Sequence, residues 1–253
     1  MRVTTLIAHK DYFEYLPKAI RSALKQTYEN AICVVDASED KKAFFEAVKA
    51  GFDRPIDYSM KASKDGILYT VGPHNFLSIN QENTFPSNLR NIGIDFTIGN
   101  TDLYMILDAD DEMLPTKVQR FVETVEQSPD EIGVVYADHL TVNTVTGEEN
   151  VQYREPYSAL RLSQECIVHS NSGVTSIALK AAKDQFGYFD NTMRTCEDYD
   201  LWCRISKKFM IVHLAEVLSL VRVQPKNSSM TVDKEIWARN WNRVHAKNHQ
   251  SHS

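Results

Sequence analysis

No apolar run in this sequence approaches the roughly 18 residues that a membrane span requires, so no transmembrane helix is expected. Cysteine is scarce. Cys33, Cys166, Cys196 and Cys203 form no CxxC pair and show no zinc-ligand spacing. That pattern argues against a disulfide scaffold or a zinc module and reads as free thiols in a reducing compartment. There is no basic stripe, and the net charge is −6, so nucleic acid is not an expected partner. Internal repeats and low-complexity linkers are also missing. The amino terminus runs directly into the strand-like Val3-Thr4-Thr5-Leu6-Ile7-Ala8, too short for a signal-peptide core and without a cleavage site. A cytoplasmic location is the expectation. The sequon Asn227-Ser228-Ser229 carries no weight without another sign of secretion.

What is present is the balance of an ordinary globule, 43% hydrophobic and 25% charged over 253 residues, enough for one large α/β domain. The first hundred residues alternate strand and helix. Strands are predicted at Val3–Ala8, Ala31–Asp36 and near Ile56–Ser59, and helices at Tyr15–Gln26, Lys41–Ala50 and from Ser87 through Ile98. Between Lys61 and Pro86 the residues read as one long polar loop. Such alternation predicts a mostly parallel sheet with helices on both faces. The second half reads as a smaller, mixed continuation. Strands are expected at Gly133–Ala137, Leu140–Val145, Val174–Leu179, Phe209–Leu214 and Val217–Val223, and helices at Asp198–Lys207 and Asp233–Ala246. Residues 1–230 are expected to form the main domain, followed over 231–253 by a helix and a polar tail. Trp237 and Trp241, at i and i+4 on that helix, are compatible with packing, a dimer contact or a peripheral membrane contact.

The most informative segment is Asp108-Ala109-Asp110-Asp111-Glu112, four acids in a run of five behind the apolar Leu103-Tyr104-Met105-Ile106-Leu107. The apolar run reads as a buried strand, and the carboxyl ends of such strands are where open α/β sheets bind ligands. Gathered carboxylates repel each other, and their hard oxygens suit Mg²⁺ or Mn²⁺ shared with substrate phosphates. A helix cap is the plainer reading, since Pro115 opens a helix over Val118, Phe121, Val122 and Val125. A cap needs one acid, not four.

Two further acidic positions belong to the same rim. Asp36 ends the second strand. Asp198 precedes Leu201 and Trp202 by three and four residues and so shares their inward face. It is either a helix-start carboxylate stabilised by the dipole or, beside a metal site, a candidate general base.

Together these segments resemble family 2 glycosyltransferases of the GT-A fold, over about Arg2 to Met230. The elements are the opening strand and helix with Ser22-Ala23-Leu24-Lys25-Gln26-Thr27, Arg90-Asn91-Ile92-Gly93, the DXD motif Asp108-Ala109-Asp110, Gly187-Tyr188-Phe189-Asp190, and Glu197-Asp198 opening a helix. The resemblance implies an inverting transferase that moves a sugar from a nucleotide-diphosphate sugar, UDP-linked in the first instance, to an acceptor hydroxyl. Polysaccharide or glycoconjugate synthesis is the implied setting, with a carbohydrate or glycoconjugate as acceptor. It implies that Ala8, Asp36, Arg90, Asp108, Ala109, Asp110, Arg222 and Ser229 hold the donor, with Asp36 at the base. Asp110 and Asp108 would bind Mn²⁺ or Mg²⁺, and Asp198 would be the general base. Three positions depart from the common pattern: Ala37-Ser38 after Asp36, Lys10 near the first strand end, and Gln224 after Arg222-Val223. The rival readings are a nucleotidyltransferase, which would want a glycine-rich phosphate loop where His9-Lys10-Asp11-Tyr12-Phe13 stands, and a non-catalytic sugar-binding relic.

Overall fold

The computed structural model describes residues 1–81, 84–128, 131–225 and 227–249, with the side chains of 228, 229, 248 and 249 outside that description. Its centre is the parallel trio predicted from the apolar runs. β1 (Val3–His9) opens the chain, α1 (Leu16–Leu24) follows, and β2 (Ala31–Asp36) pairs parallel to β1. α2 (Lys41–Gly51) is capped by Asp40, whose carboxylate accepts the Ala43 N–H at 2.8 Å.

The expected loop from Lys61 is not a loop. It folds as β3 (Ser59–Ser63), β4 (Gly66–Val71) and β5 (His74–Ile79), an antiparallel extension that joins β2 through β5. Gly72, at φ 56°, makes the tight turn between β4 and β5. β3 is exposed along its whole length, so it lacks the alternation that marks a strand. The third predicted strand therefore moves from Ile56–Ser59 to Ser59–Ser63.

α3 (Pro86–Thr97) leads into β6 (Leu103–Asp108), parallel to β1 on its other side, with Ala8 opposite Asp108. The motif residues of α3 have separate tasks. A Cβ on Gly93 would sit 2.3 Å from Leu6 Cδ1, so only glycine lets the helix lie this close to β1. Asn91 clamps the Gly187–Phe189 turn, donating to Phe189 O at 2.8 Å and accepting its N–H at 2.9 Å. Gln26 fixes the segment behind the acids, donating to Leu114 O and accepting the Val118 N–H, each at 3.0 Å. These pairings account for sequence elements far apart in the chain.

Past the acids come β7 (Glu112–Met113), α4 (Lys117–Gln127) and β8 (Ile132–Asn143). β8 runs unbroken through both strands predicted there. β9 (Glu149–Gln152) pairs on it, and α5 (Ala159–Gln164) follows. The predicted strand at Val174–Leu179 divides into β10 (Gly173–Thr175) and α6 (Ser176–Ala182), because a short apolar run does not declare its period. After α7 (Glu197–Ile205), the two predicted strands at 209–223 are one, β11 (Met210–Val223), with bulges near Leu214 and Val217. α8 (Ser228–Thr231) and α9 (Lys234–His249) end the fold.

The sheet order is β3-β4-β5-β2-β1-β6-β10-β8-β11-β7, with β9 beside β8. Two apolar cores cover its faces. One is centred on Leu6, Tyr104 and Trp202, the other on Ile7, Phe44 and Phe121. Among the described residues no helix is long and apolar enough to cross a membrane.

Candidate active site

The carboxyl ends of β1 and β6 open into a cavity of about 1080 Å³. Its floor is the acidic loop. Asp108 ends β6 with its carboxylate half in solvent, at 31% exposure. Asp110 and Asp111 are buried. Each acid has its own partners. Asp108 Oδ2 accepts the Ser170 hydroxyl at 2.9 Å. Asp110 Oδ2 accepts the Gln224 amide at 2.7 Å, and Asp111 Oδ1 accepts the Arg222 N–H at 2.8 Å. Asn171 ties the loop together, accepting the Asp108 N–H at 2.9 Å and donating to Asp111 Oδ2 at 2.5 Å. The buried Lys117 ammonium holds Asn171 in turn, donating to its carbonyl at 2.6 Å and to the Ser219 hydroxyl at 2.7 Å.

Burial and the neighbouring Asp108 charge push Asp110 up to about 6. Burial, then Asp110 and Asp108, raises Asp111 well above the usual carboxylate range. Burial also brings Lys117 down to about 7, against the pull of Asp111 and Asp108.

The facing wall is the start of α7. Glu197 and Asp198 both line the cavity, and burial pushes Glu197 up to about 7 against the opposing charge of Arg90. Asp198 is raised too, again mainly by burial, and its Oδ1 accepts the Tyr199 N–H at 2.7 Å. Arg90 spans the two walls. Its Nη2 donates to Asp108 Oδ1 at 2.6 Å and its Nη1 to Glu197 Oε1 at 2.8 Å. Burial works against the guanidinium charge, but Asp108 and Glu197 outweigh it and hold its pKa above the ordinary value.

Among the described residues two non-glycine residues adopt left-handed backbone, Asp11 at φ 62° and Cys196 at φ 61°, and both line this cavity. Such strain concentrates at working sites.

The positions predicted from sequence divide sharply. Ala8, Arg90, Asp108, Ala109, Asp110, Asp198 and Arg222 all line the cavity. Arg222 grips the acidic loop from β11, donating to Asp110 O at 2.7 Å and pairing with Glu112. The Ser229 side chain lies outside the described residues. Asp36 stands apart. It is fully buried, is not on the cavity wall, and its oxygens accept from His9 Nδ1 (as the donor tautomer) at 2.8 Å, the Ser38 hydroxyl at 2.6 Å and the Ser78 hydroxyl at 2.9 Å. Lys10 lines the cavity, and Gln224 holds Asp110. Of the segment Lys61–Pro86, Thr84, Phe85 and Pro86 reach the cavity. Sequence reading missed Lys117, Ser170 and Asn171. Ser170-Asn171-Ser172 is an unremarked polar triplet whose role exists only once β10 is packed beside β6.

The donor set suits a hard divalent cation. Asp108 and Asp110 offer carboxylate oxygens, and their mutual repulsion is the kind a cation relieves. Among the described residues no three His, Cys, Asp or Glu side chains gather to hold a metal by themselves.

Comparison with known proteins agrees with this geometry. The family model described as "Glycosyl transferase family 2" matches residues 5–186. An uncharacterized glycosyltransferase of Haemophilus influenzae is 27% identical over 161 residues, 61% of this chain and 52% of that protein. Another from Nostoc sp. is 31% identical over 145 residues, 56% of this chain and 37% of that one. The chain thus spans about half the first relative and less of the second. Among solved structures, S. aureus TarS 1-349 in complex with UDP-GlcNAc superposes with a TM-score of 0.68 at 12% identity, over 98% of this chain and 71% of that one. TarS itself gives 0.65 at 14% identity, over 100% of this chain and 44% of that one. At such identities the likeness is one of fold, and the fold is GT-A, as expected.

Proposed function

The chain belongs to glycosyl transferase family 2, and from that premise we propose that it transfers a sugar, with inversion, from a UDP-linked donor to an acceptor hydroxyl. The observation that carries the proposal is Arg90, one buried cation bonded to the donor-side Asp108 and the α7 acid Glu197. It fixes the distance between a phosphate-binding floor and a proton-accepting wall. The donor diphosphate lies along the rim at Ala8, Ala109 and Arg222. UDP-GlcNAc in the TarS structure supports a nucleotide sugar as the ligand class. Asp108 and Asp110 would hold Mn²⁺ or Mg²⁺, which neutralises the departing diphosphate when bound.

Asp198 takes the acceptor hydroxyl proton. The freed oxygen attacks the anomeric carbon, and the bond to the diphosphate oxygen breaks on the opposite face. One such displacement inverts the centre, as direct attack does in inverting glycosidases. Burial raises the Asp198 carboxyl above its ordinary value, which strengthens it as a base. The four free cysteines are in keeping with a cytoplasmic setting, and glycoconjugate or polysaccharide synthesis is the role we assign.

The test is UDP release from a panel of nucleotide sugars, with Mn²⁺ and with chelator, in the native protein and in Asp198→Asn. Metal-dependent release from a UDP-sugar that Asp198→Asn abolishes is the expected result. Release that ignores both metal and variant would overturn the proposal.

A further inference from the structure

The cavity has a second wall that the transfer chemistry above does not use. Trp237 and Trp241 sit at i and i+4 on α9, so they share one face, and both line the cavity. α9 packs on α7 and α5. It is fastened there by buried polar contacts. Fully buried Asp190 accepts from Arg243 at 2.8 Å and Lys247 at 2.7 Å, and Lys247 also reaches Asp200 at 3.0 Å. Asn240 donates to Thr195 Oγ1 at 3.0 Å, three residues before Asp198. The helix that carries the two indoles is thereby locked to the segment that carries the proposed base. Trp241 stands 5.1 Å, centroid to centroid, from Tyr199.

Packing against the apolar core does not use these side chains fully, since both are only half buried and line the cavity. A membrane contact does not explain them either. The exposed face of α9 carries Glu235, Arg239 and Asn242, with no apolar anchor.

We infer that Trp237 and Trp241 form the acceptor subsite, an aromatic platform for a pyranose ring, so that the acceptor is itself a glycoside whose hydroxyl is presented to Asp198. The C–H face of a sugar ring is apolar and its rim polar, which matches broad aromatic faces beside carboxylates. Trp241, close to the Tyr199 ring, places the platform beside the residue that follows Asp198. This inference rests on the transferase reading for the role of Asp198.

The experiment titrates the methyl glycosides of glucose, galactose and N-acetylglucosamine into the full chain with UDP and Mn²⁺ present, following tryptophan emission. UDP affinity is measured in parallel by calorimetry. The native protein should give a saturable response to at least one glycoside. Trp237→Leu and Trp241→Leu should each weaken glycoside affinity about tenfold, a loss of ~1.4 kcal/mol, read by calorimetry because each variant removes a reporting indole, with UDP affinity unchanged. In the native protein, the same glycoside should protect both indoles from oxidation by N-bromosuccinimide, a readout that needs no variant. UDP binding without any glycoside response, or a response that survives both substitutions, would overturn the subsite and leave the donor reading intact. A glycoside response without UDP binding would keep the subsite and defeat the donor reading. If neither ligand binds, both fall. An emission shift on anionic vesicles, with none from glycosides, would replace the subsite with a membrane contact.

Discussion

The two acidic clusters that face each other across the cavity are chemically unlike. On the β6 side, Asp110 and Asp111 are steadied by neutral donors, the Gln224 and Asn171 amides and a backbone N–H, while Asp108 takes the Ser170 hydroxyl and one arm of Arg90. Burial and the Asp108 charge push Asp110 up to about 6. On the α7 side, Glu197 takes the other arm of Arg90, and Asp198 accepts a backbone N–H at 2.7 Å. Under the proposed function, the first arrangement would hold a cation and a diphosphate, and the second would leave Asp198 to accept a proton.

The sharpest way to break that contrast is Asp198→Asn. Asparagine keeps the size and cannot take a proton, so sugar transfer should fall on the order of 10²- to 10⁴-fold while UDP–Mn²⁺ affinity stays near native. A cap would behave oppositely, since Asn caps about as well as Asp. Near-normal transfer in this variant would move the role to Glu197.

The next effect belongs to the other cluster. Asn171→Ala removes the amide that joins Asp108 to Asp111. It should weaken Mn²⁺-dependent UDP binding by roughly 10- to 100-fold, as loss of an outer partner of a metal site does. Calorimetry with and without Mn²⁺ checks it, and an unchanged metal dependence would mean the acids do not act as one unit.

A smaller effect is expected at Asp36, which the resemblance assigns to the nucleotide base. In the fold it is fully buried and binds His9, Ser38 and Ser78, with His9 between it and the cavity. Asp36→Ala should therefore destabilise the protein by about 1–3 kcal/mol, the cost of stranding buried polar partners. The ratio of thermal shifts by UDP and GDP should hold. A changed ratio would return Asp36 to the base.

The gentlest prediction concerns pH. Glu197 ordinarily titrates near 4.5 and is pushed up to about 7 by burial. Between those values the folded protein keeps a proton that the unfolded chain has released, so this group's contribution to stability falls as pH rises through the window. Melting temperature against pH should be flatter in Glu197→Gln. The acid limb of the transfer rate should also move to lower pH in that variant, because a negative charge beside Asp198 is gone. Identical profiles would show that the two acids do not interact.

Local pattern carried part of this protein. Apolar runs, 3.6-residue stripes and the acids behind Leu107 were enough for β1, β2, β6, α1, α2, α7 and the place of the DXD motif, because each is decided within a dozen residues. β3 to β5 stayed hidden, since exposed short strands lack an apolar period and gain their stability from neighbours in the sheet. β11 looked like two strands because bulges interrupt its alternation. The amides that hold the acids come from 60 to 114 residues away in the chain, as with Asn171 and Asp111 or Gln224 and Asp110. Only tertiary structure decided those meetings, the burial of Asp36 against His9, Ser38 and Ser78 and the arrival of Trp237 and Trp241 at the cavity. The physical reason is that residue type fixes what a side chain can bond, while packing of distant segments fixes what it meets.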